Sequence, residues 1–434
     1  MRHAICCVVI LVAIGSGQNW ETSSILPGSF FAWGIGVDSD NLPHVAFGTA
    51  RCLGYASRDS TGWNLEYPDS NAYVAELDLC LDSDGFPHIG YSGVRYAYWD
   101  GINWHTEAVA EGSGLTLALA RDRTPHMVFV DSLRVKYTYK AGDSWVILPV
   151  PAYQADTLRR LGAASLALDT ADRPGIAVTW GKHGGGGAND SLWLSFFEYD
   201  GKEWHRFDID SVAGWAPWDF WRTRVRNDPG TGLFHIGYCR YAYAIGKGSQ
   251  WNVEKGLWIG DMWCDFTLHQ GRPHIACSSP MDPLKHQWRW AGGWETEPVG
   301  HVASIEPPSI AVDWTGRPHI AFNNYDSLCY ARRLFVGTEE PAPAIAHPKP
   351  RLLVHPNPVL SVLTLEFPVQ FRTLATITLC DVQGRCVGLL DHRVLRPGLY
   401  HHRFNLTDRA IRSGVYFIQI ETASGKKVRK VVFQ

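Results

Sequence analysis

"SIAVDWTGRPHIAF", residues 309–322, reads as two short strands around a tight turn. The apolar run ends at Asp313, and a polar Thr-Gly turn follows. Pro318 has no amide hydrogen, so it suits the start of the second strand and not its middle. Working outward, the same phrase recurs as "GIGVDSDNLPHVAF" (34–47), "DLCLDSDGFPHIGY" (78–91), "TLALARDRTPHMVF" (116–129) and "SLALDTADRPGIAV" (165–178). Weaker copies are "VRNDPGTGLFHIGY" (225–238) and "FTLHQGRPHIAC" (266–277). The column that holds Pro318 also holds Pro43, Pro87, Pro125, Pro174, Phe234 and Pro273. Its mean spacing is about 45 residues, the length of one four-stranded blade.

Each copy continues into a hairpin. "VRYAYWDGINWHTEAV" (94–109) and "LSFFEYDGKEWHRFDI" (194–209) place Asp-Gly between two strands, a strong turn signal. The seventh copy stops short. After "HIAFNNYDSLCYARR" (319–333) no fourth strand with its Trp appears. That strand stands instead near the start of the chain, as Trp20-Glu21-Thr22. An N-terminal strand that completes the last sheet removes the open edge between the first and last modules. The expected fold is therefore all-β: a seven-bladed β-propeller over residues 18–336, closed by its N-terminal strand. A β-sandwich or open solenoid leaves the displaced strand unexplained.

The repeats resemble those of propellers with sialidase-like (BNR-type) repeats. That family carries a Ser-x-Asp-x-Gly-x-Thr-Trp box at the turn between third and fourth strands. Asp100-Gly101-Ile102-Asn103-Trp104 and Asp200-Gly201-Lys202-Glu203-Trp204 share its Asp, Gly and Trp in another order and without Thr. The resemblance implies architecture and not catalysis.

The first 17 residues join a basic head (Arg2, His3) to an apolar run, Ala4–Ile14, and the small residues Gly15, Ser16 and Gly17. The 11 apolar residues fall short of the roughly 20 that span a bilayer. They fit a signal peptide cleaved after Gly17. Lys and Arg number 40 against 43 Asp and Glu, with no basic block, which argues against nucleic acid as a partner. Of ten cysteines, Cys6 and Cys7 lie in the apolar run, and the remaining eight show no metal-ligand spacing. Cys380 and Cys386 flank a predicted hairpin turn and could face each other, which leaves a disulfide open to them in an oxidising compartment.

Residues 337–350, "GTEEPAPAIAHPKP", form a Pro-rich linker. Beyond it, "HPNPVLSVLTLEF" (355–367), "ATITLCDVQGRCVGLL" (375–390) and "IRSGVYFIQIETASGKKVRKVVFQ" (411–434) alternate strands with Gly turns. A small Ig-like β-sandwich over 351–434 is expected. Pro356-Asn357-Pro358, Gly384 in "CDVQGR", Gly414, Tyr416 and the Lys430-Val431-Val432 ending resemble the type A C-terminal sorting domain of the type IX secretion system. The resemblance implies a signal-peptide route to the periplasm and export by the type IX machinery. The protein would then be secreted or held on the outer-membrane exterior.

No HExxH, Walker loop or dinucleotide fingerprint is present, so no catalytic residue, metal ligand or cofactor is assigned. Six copies carry His after the Pro column: His44, His88, His126, His235, His274 and His319, with Gly175 in the fourth. Equivalent positions round a ring lie too far apart to share a metal. A repeated hydrogen bond to the adjoining blade is expected instead. "DSDG" (82–85) lacks the rest of a calcium loop, and "KHGGGGAND" (182–190) lacks the strand-to-helix setting of an oxyanion hole. The most unusual segment is "SVAGWAPWDFWRTRVR" (211–226), where Trp215, Trp218 and Trp221 stand beside Arg222 and Arg224. Aromatic faces and Arg suit glycans and carboxylates. Glu76, Asp78 and Asp265, at strand starts, are expected near the same mouth. The expected function is a monomeric, exported, non-catalytic module binding glycan or another extracellular polymer. The alternative is a sialidase-like glycoside hydrolase or polysaccharide lyase.

Overall fold

The Pro column opens the second strand of six sheets: Pro43–Gly48, Pro87–Tyr91, Pro125–Asp131, Pro174–Lys182, Phe234–Tyr238 and Pro318–Asn323. In the sixth copy the strand starts one residue earlier, at Arg272. A computed structural model describes residues 19–433 apart from 133, 153–158, 183–190, 214–222, 239–241, 256–262, 279–282, 291–292, 300–306, 335–352, 356–358, 360–361, 370–372, 396–397, 406–412 and 423–424. The chain divides into two compact units, one built from residues up to 337 and the other containing 338–434.

Among the described residues, the first unit holds seven four-stranded antiparallel sheets, numbered here in chain order. Sheets 1 to 6 are simple meanders whose first strands are Ala32–Val37, Leu77–Leu81, Ser113–Leu119, Arg159–Leu168, Thr223–Asn227 and Trp263–His269. Sheet 7 takes three strands from Ser309–Val312, Pro318–Asn323 and Ser327–Arg333, and its fourth is Trp20–Pro27. In that pairing Trp20 faces Arg333 and Ser23 faces Tyr330. The first strand of each sheet packs on that of the next, and the first strand of sheet 7 packs on that of sheet 1.

Two side-chain systems join neighbouring sheets. The outer one is aromatic. A ring on each third strand meets a Trp on the fourth strand of the next sheet: Tyr55–Trp104, Tyr96–Trp145, Tyr137–Trp204, Phe196–Trp251, Tyr243–Trp294, His286–Trp20 and Tyr330–Trp63. All seven are edge-to-face at 5.0–5.7 Å, a favoured aromatic geometry. Trp20 therefore stands where every other sheet puts its fourth-strand Trp.

The histidine column corrects one expectation. Its bond stays within the sheet, because His on the second strand and Tyr on the third sit side by side on one face. His126 Nδ1 and His319 Nδ1 lie 2.6 Å from Tyr137 and Tyr330 hydroxyls. His44, His88 and His235 make the same pair with Tyr55, Tyr96 and Tyr243. In sheet 6, His274 instead meets His286 at 3.1 Å.

In the second unit, one sheet has three strands and the other four. Leu363 and Leu365 of the first share an apolar core with Ile377, Leu379, Ile418, Ile420 and Val431 of the second. Gly384 takes φ +80° in a tight turn, where glycine avoids the Cβ clash. Tyr416 packs edge-on against Phe433 at 5.3 Å. Pro356, Asn357 and Pro358 lie outside the described residues, as does the 1–17 segment. Cys380 and Cys386 are register partners at a bulge, but Cys380 is buried and Cys386 exposed, and both are free thiols.

Candidate functional site

The inner system defines the site. One position on each first strand, just before a buried or half-buried apolar residue, reads Gly34, Asp78, Thr116, Ser165, Arg224, Asp265 and Ser309. Where it bears an acceptor, that acceptor takes the backbone N–H of the following sheet. Asp78 Oδ2 accepts from Leu117 N at 2.9 Å, Thr116 Oγ1 from Leu166 N at 3.0 Å, and Ser165 Oγ from Val225 N at 3.1 Å. Asp265 Oδ2 accepts from Ile310 N at 3.2 Å, and Ser309 Oγ from Ile35 N of sheet 1 at 3.3 Å.

Two members depart from this pattern for physical reasons. Arg224 has no acceptor, so its Nε donates to Asp265 Oδ1 at 3.2 Å. Gly34 has no side chain, and a Cβ there would lie 3.2 Å from Leu77 Cδ1. Three residues expected at a ligand mouth (Asp78, Arg224 and Asp265) are thus brought together, but inside a structural ring. Burial raises the Asp78 carboxyl above its usual range, against the pull of Arg224 and Arg226. Burial alone would lower Arg224, yet Asp265 and Asp78 hold its guanidinium above its ordinary value.

Above this ring, at the starting ends of the first strands, lies a cavity of about 440 Å³. Its wall is formed by Phe31–Trp33, Ala75–Leu77, Ser113–Thr116 and Leu161–Ala164, with Val130, Arg224 and Pro307. These segments precede or begin the first strands of sheets 1 to 5 and 7, so one end of the strand assembly builds the site. Among the described residues, its charged lining is Glu76 and Arg224. Glu76 Oε2 accepts from Gly114 N at 2.6 Å. Burial raises the Glu76 carboxyl, and the N–H groups of Gly114 and Leu115 oppose the shift.

Trp215, Trp218, Trp221 and Arg222 lie outside the described residues. Sequence reasoning missed Phe31, which enters the wall from the irregular segment before sheet 1. The inner ring did carry a signal, a column of hydrogen-bonding residues before an apolar one. Among the described residues, Asp200, Glu203 and His205 bring three potential metal-ligand atoms within 4.8 Å. There Asp200 already closes the hairpin turn by accepting from Lys202 N and Glu203 N.

Residues 353–434 match the family described as "Secretion system C-terminal sorting domain". The protein is accordingly one secreted to the cell surface or extracellular space, and its C-terminal part is the element that engages the type IX export machinery. Among curated proteins no sequence match was found. Similar solved structures include virginiamycin B lyase from Staphylococcus aureus (9% identity, TM-score 0.48, 73% of this chain and 99% of that one). Another is an α-L-arabinanase of Penicillium chrysogenum complexed with arabinobiose (10%, 0.42, 72% and 97%). A third is YCF48 bound to D1 peptide (12%, 0.44, 75% and 98%). At these identities and scores the likeness transfers no ligand or reaction to this chain.

Proposed function

We propose that residues 18–336 form a closed seven-bladed β-propeller, joined by the linker 337–350 to an Ig-like sorting domain over 351–434. The propeller acts as a non-catalytic binding module outside the cell, taking its ligand in the axial cavity. The observation that carries this reading is the cavity itself, walled by six sheets and holding Glu76 and Arg224. Concave sites with a few convergent polar groups are where ligands bind. Asp78 and Asp265 are engaged in holding sheets together, so they support the frame and not a reaction. Trp215, Trp218, Trp221 and Arg222 belong in this proposal as a flanking segment, two residues short of Arg224.

Ala75 is exposed and lines the cavity, so Ala75→Trp plugs the mouth without touching the core. A thermal-shift screen of oligosaccharides, peptides and small extracellular metabolites is expected to find compounds that stabilise the wild type and not A75W. If no compound stabilises the wild type, or if A75W responds equally, the binding reading fails.

One observation favours the alternative, a glycoside hydrolase or polysaccharide lyase. The raised Glu76 carboxyl is the kind of shift that suits a general acid. Release of new reducing ends from polysaccharides incubated with the protein would move the assignment to that class.

A further inference from the structure

Large aromatic side chains held in water at a cavity lip need a reason, because burial would stabilise them. Phe31 is 46% exposed and Tyr73 63% exposed. Their ring centroids are 5.8 Å apart with planes inclined by 42°. Phe31 belongs to the cavity wall, and Tyr73 precedes Ala75 and Glu76 of the same wall.

The backbone around both rings is pinned. Phe31 N donates to the Gly48 carbonyl at 3.0 Å, Ala72 N to the Arg51 carbonyl at 3.2 Å, and Val74 N to the Thr49 carbonyl at 3.0 Å. Phe30, Ala72 and Val74 are buried, and Phe30 packs edge-on against Phe47 at 5.5 Å. Alternation along an extended chain then turns Tyr73 outward between buried neighbours, and Phe31 outward beside one. Such rings lose little conformational freedom when a ligand covers them.

We propose that Phe31 and Tyr73 are the stacking platform of a saccharide site, with Glu76 and Arg224 hydrogen-bonding the part of the sugar chain that enters the cavity. A sugar ring is two-sided in the same way as this lip. Its C–H face is drawn to the negative face of an aromatic ring, while its hydroxyls pair with charged groups in strong hydrogen bonds. A protein partner needs about 800 Å² of surface on each side, far more than two rings offer. The inference rests on the cavity reading above and adds the ligand class.

The test is an array of neutral and acidic oligosaccharides probed with the full chain, Phe31→Ala, Tyr73→Ala, the double variant, and Tyr73→Trp. The wild type is expected to bind at least one oligosaccharide class. The double variant loses affinity by roughly tenfold or more, the equivalent of about 1.4 kcal/mol. Tyr73→Trp retains binding, and melting temperatures stay unchanged because both side chains are exposed. Wild-type silence on the array overturns the inference, as does undiminished binding by the double variant. A peptide or other non-sugar ligand that A75W loses would also overturn it while leaving the cavity reading intact.

Discussion

Gly175 of sheet 4 stands where the six other sheets carry His, and Phe234 of sheet 5 stands where its own six counterparts carry Pro. The two exceptions explain each other. A Cβ on Gly175 would lie 2.6 Å from Phe196 Cζ and 2.7 Å from the Phe234 ring. Sheet 4 thus replaces the His–Tyr pair by Gly and Phe196, and Phe234 of the next sheet fills the space at 4.8 Å from Phe196. The remaining histidines set a pH dependence. Burial lowers His88, His274, His286 and His319, and drives His126 and His235 down to about 4. Unfolded histidine titrates near about 6.5. Between those values the unfolded chain binds protons that the folded chain refuses, so stability rises with pH. Glu76 and Asp78, raised by burial, and His205, raised by its bond to Asp200, act in the opposite sense, but they are three against seven once the lowered His269 is included. The melting temperature is expected to fall as pH drops from about 6.5 to about 4; a flat profile across that window would contradict buried neutral imidazoles.

At the scale of elements, the N-terminal strand matters most. Trp20 is buried and supplies the fourth-strand ring of sheet 7 to His286 of sheet 6. Glu21 bonds to Arg332 at 2.6 Å and pairs with Arg58 of sheet 1 at 3.4 Å, so one short strand ties three sheets. Truncating a buried Trp costs about 3–5 kcal/mol. Trp20→Ala is expected to destabilise the whole first unit by about that amount in urea unfolding, with loss of a single cooperative transition. A change below about 1 kcal/mol would mean that the strand is an appendage. This pairing was legible in the sequence, because a repeat with three strands announces the absence of its fourth. The hydrogen-bond partner of the histidine column was not. Strand periodicity puts a side chain on a face and leaves open whether its neighbour there comes from the same sheet or the next.

At the scale of the molecule, export belongs to the second unit, and the binding role proposed above would belong to the first. A chain ending at residue 350 lacks every strand of the sorting domain while retaining the sheets of the first unit. It is expected to accumulate in the periplasm, folded, as followed by fractionation and immunoblotting. Normal appearance of the truncated chain in the medium or on the surface would remove the sorting role from 353–434.

The sequence alone determined the number of sheets, the strand that closes the seventh, and the sorting segment. Strand, turn and hairpin pairing are near-neighbour matters, repeated with little change. The tertiary structure alone decided which side chains line the cavity and its edge. Glu76 and Arg224, at strand starts that the sequence already grouped, line one cavity, whereas Phe31 and Tyr73 come from irregular segments that no repeat relates, and Asp78 and Asp265 proved to be fasteners between sheets. The reason is that neighbours around the cavity are contributed by first strands roughly 45 residues apart, so their proximity depends on how whole sheets pack and not on any local pattern.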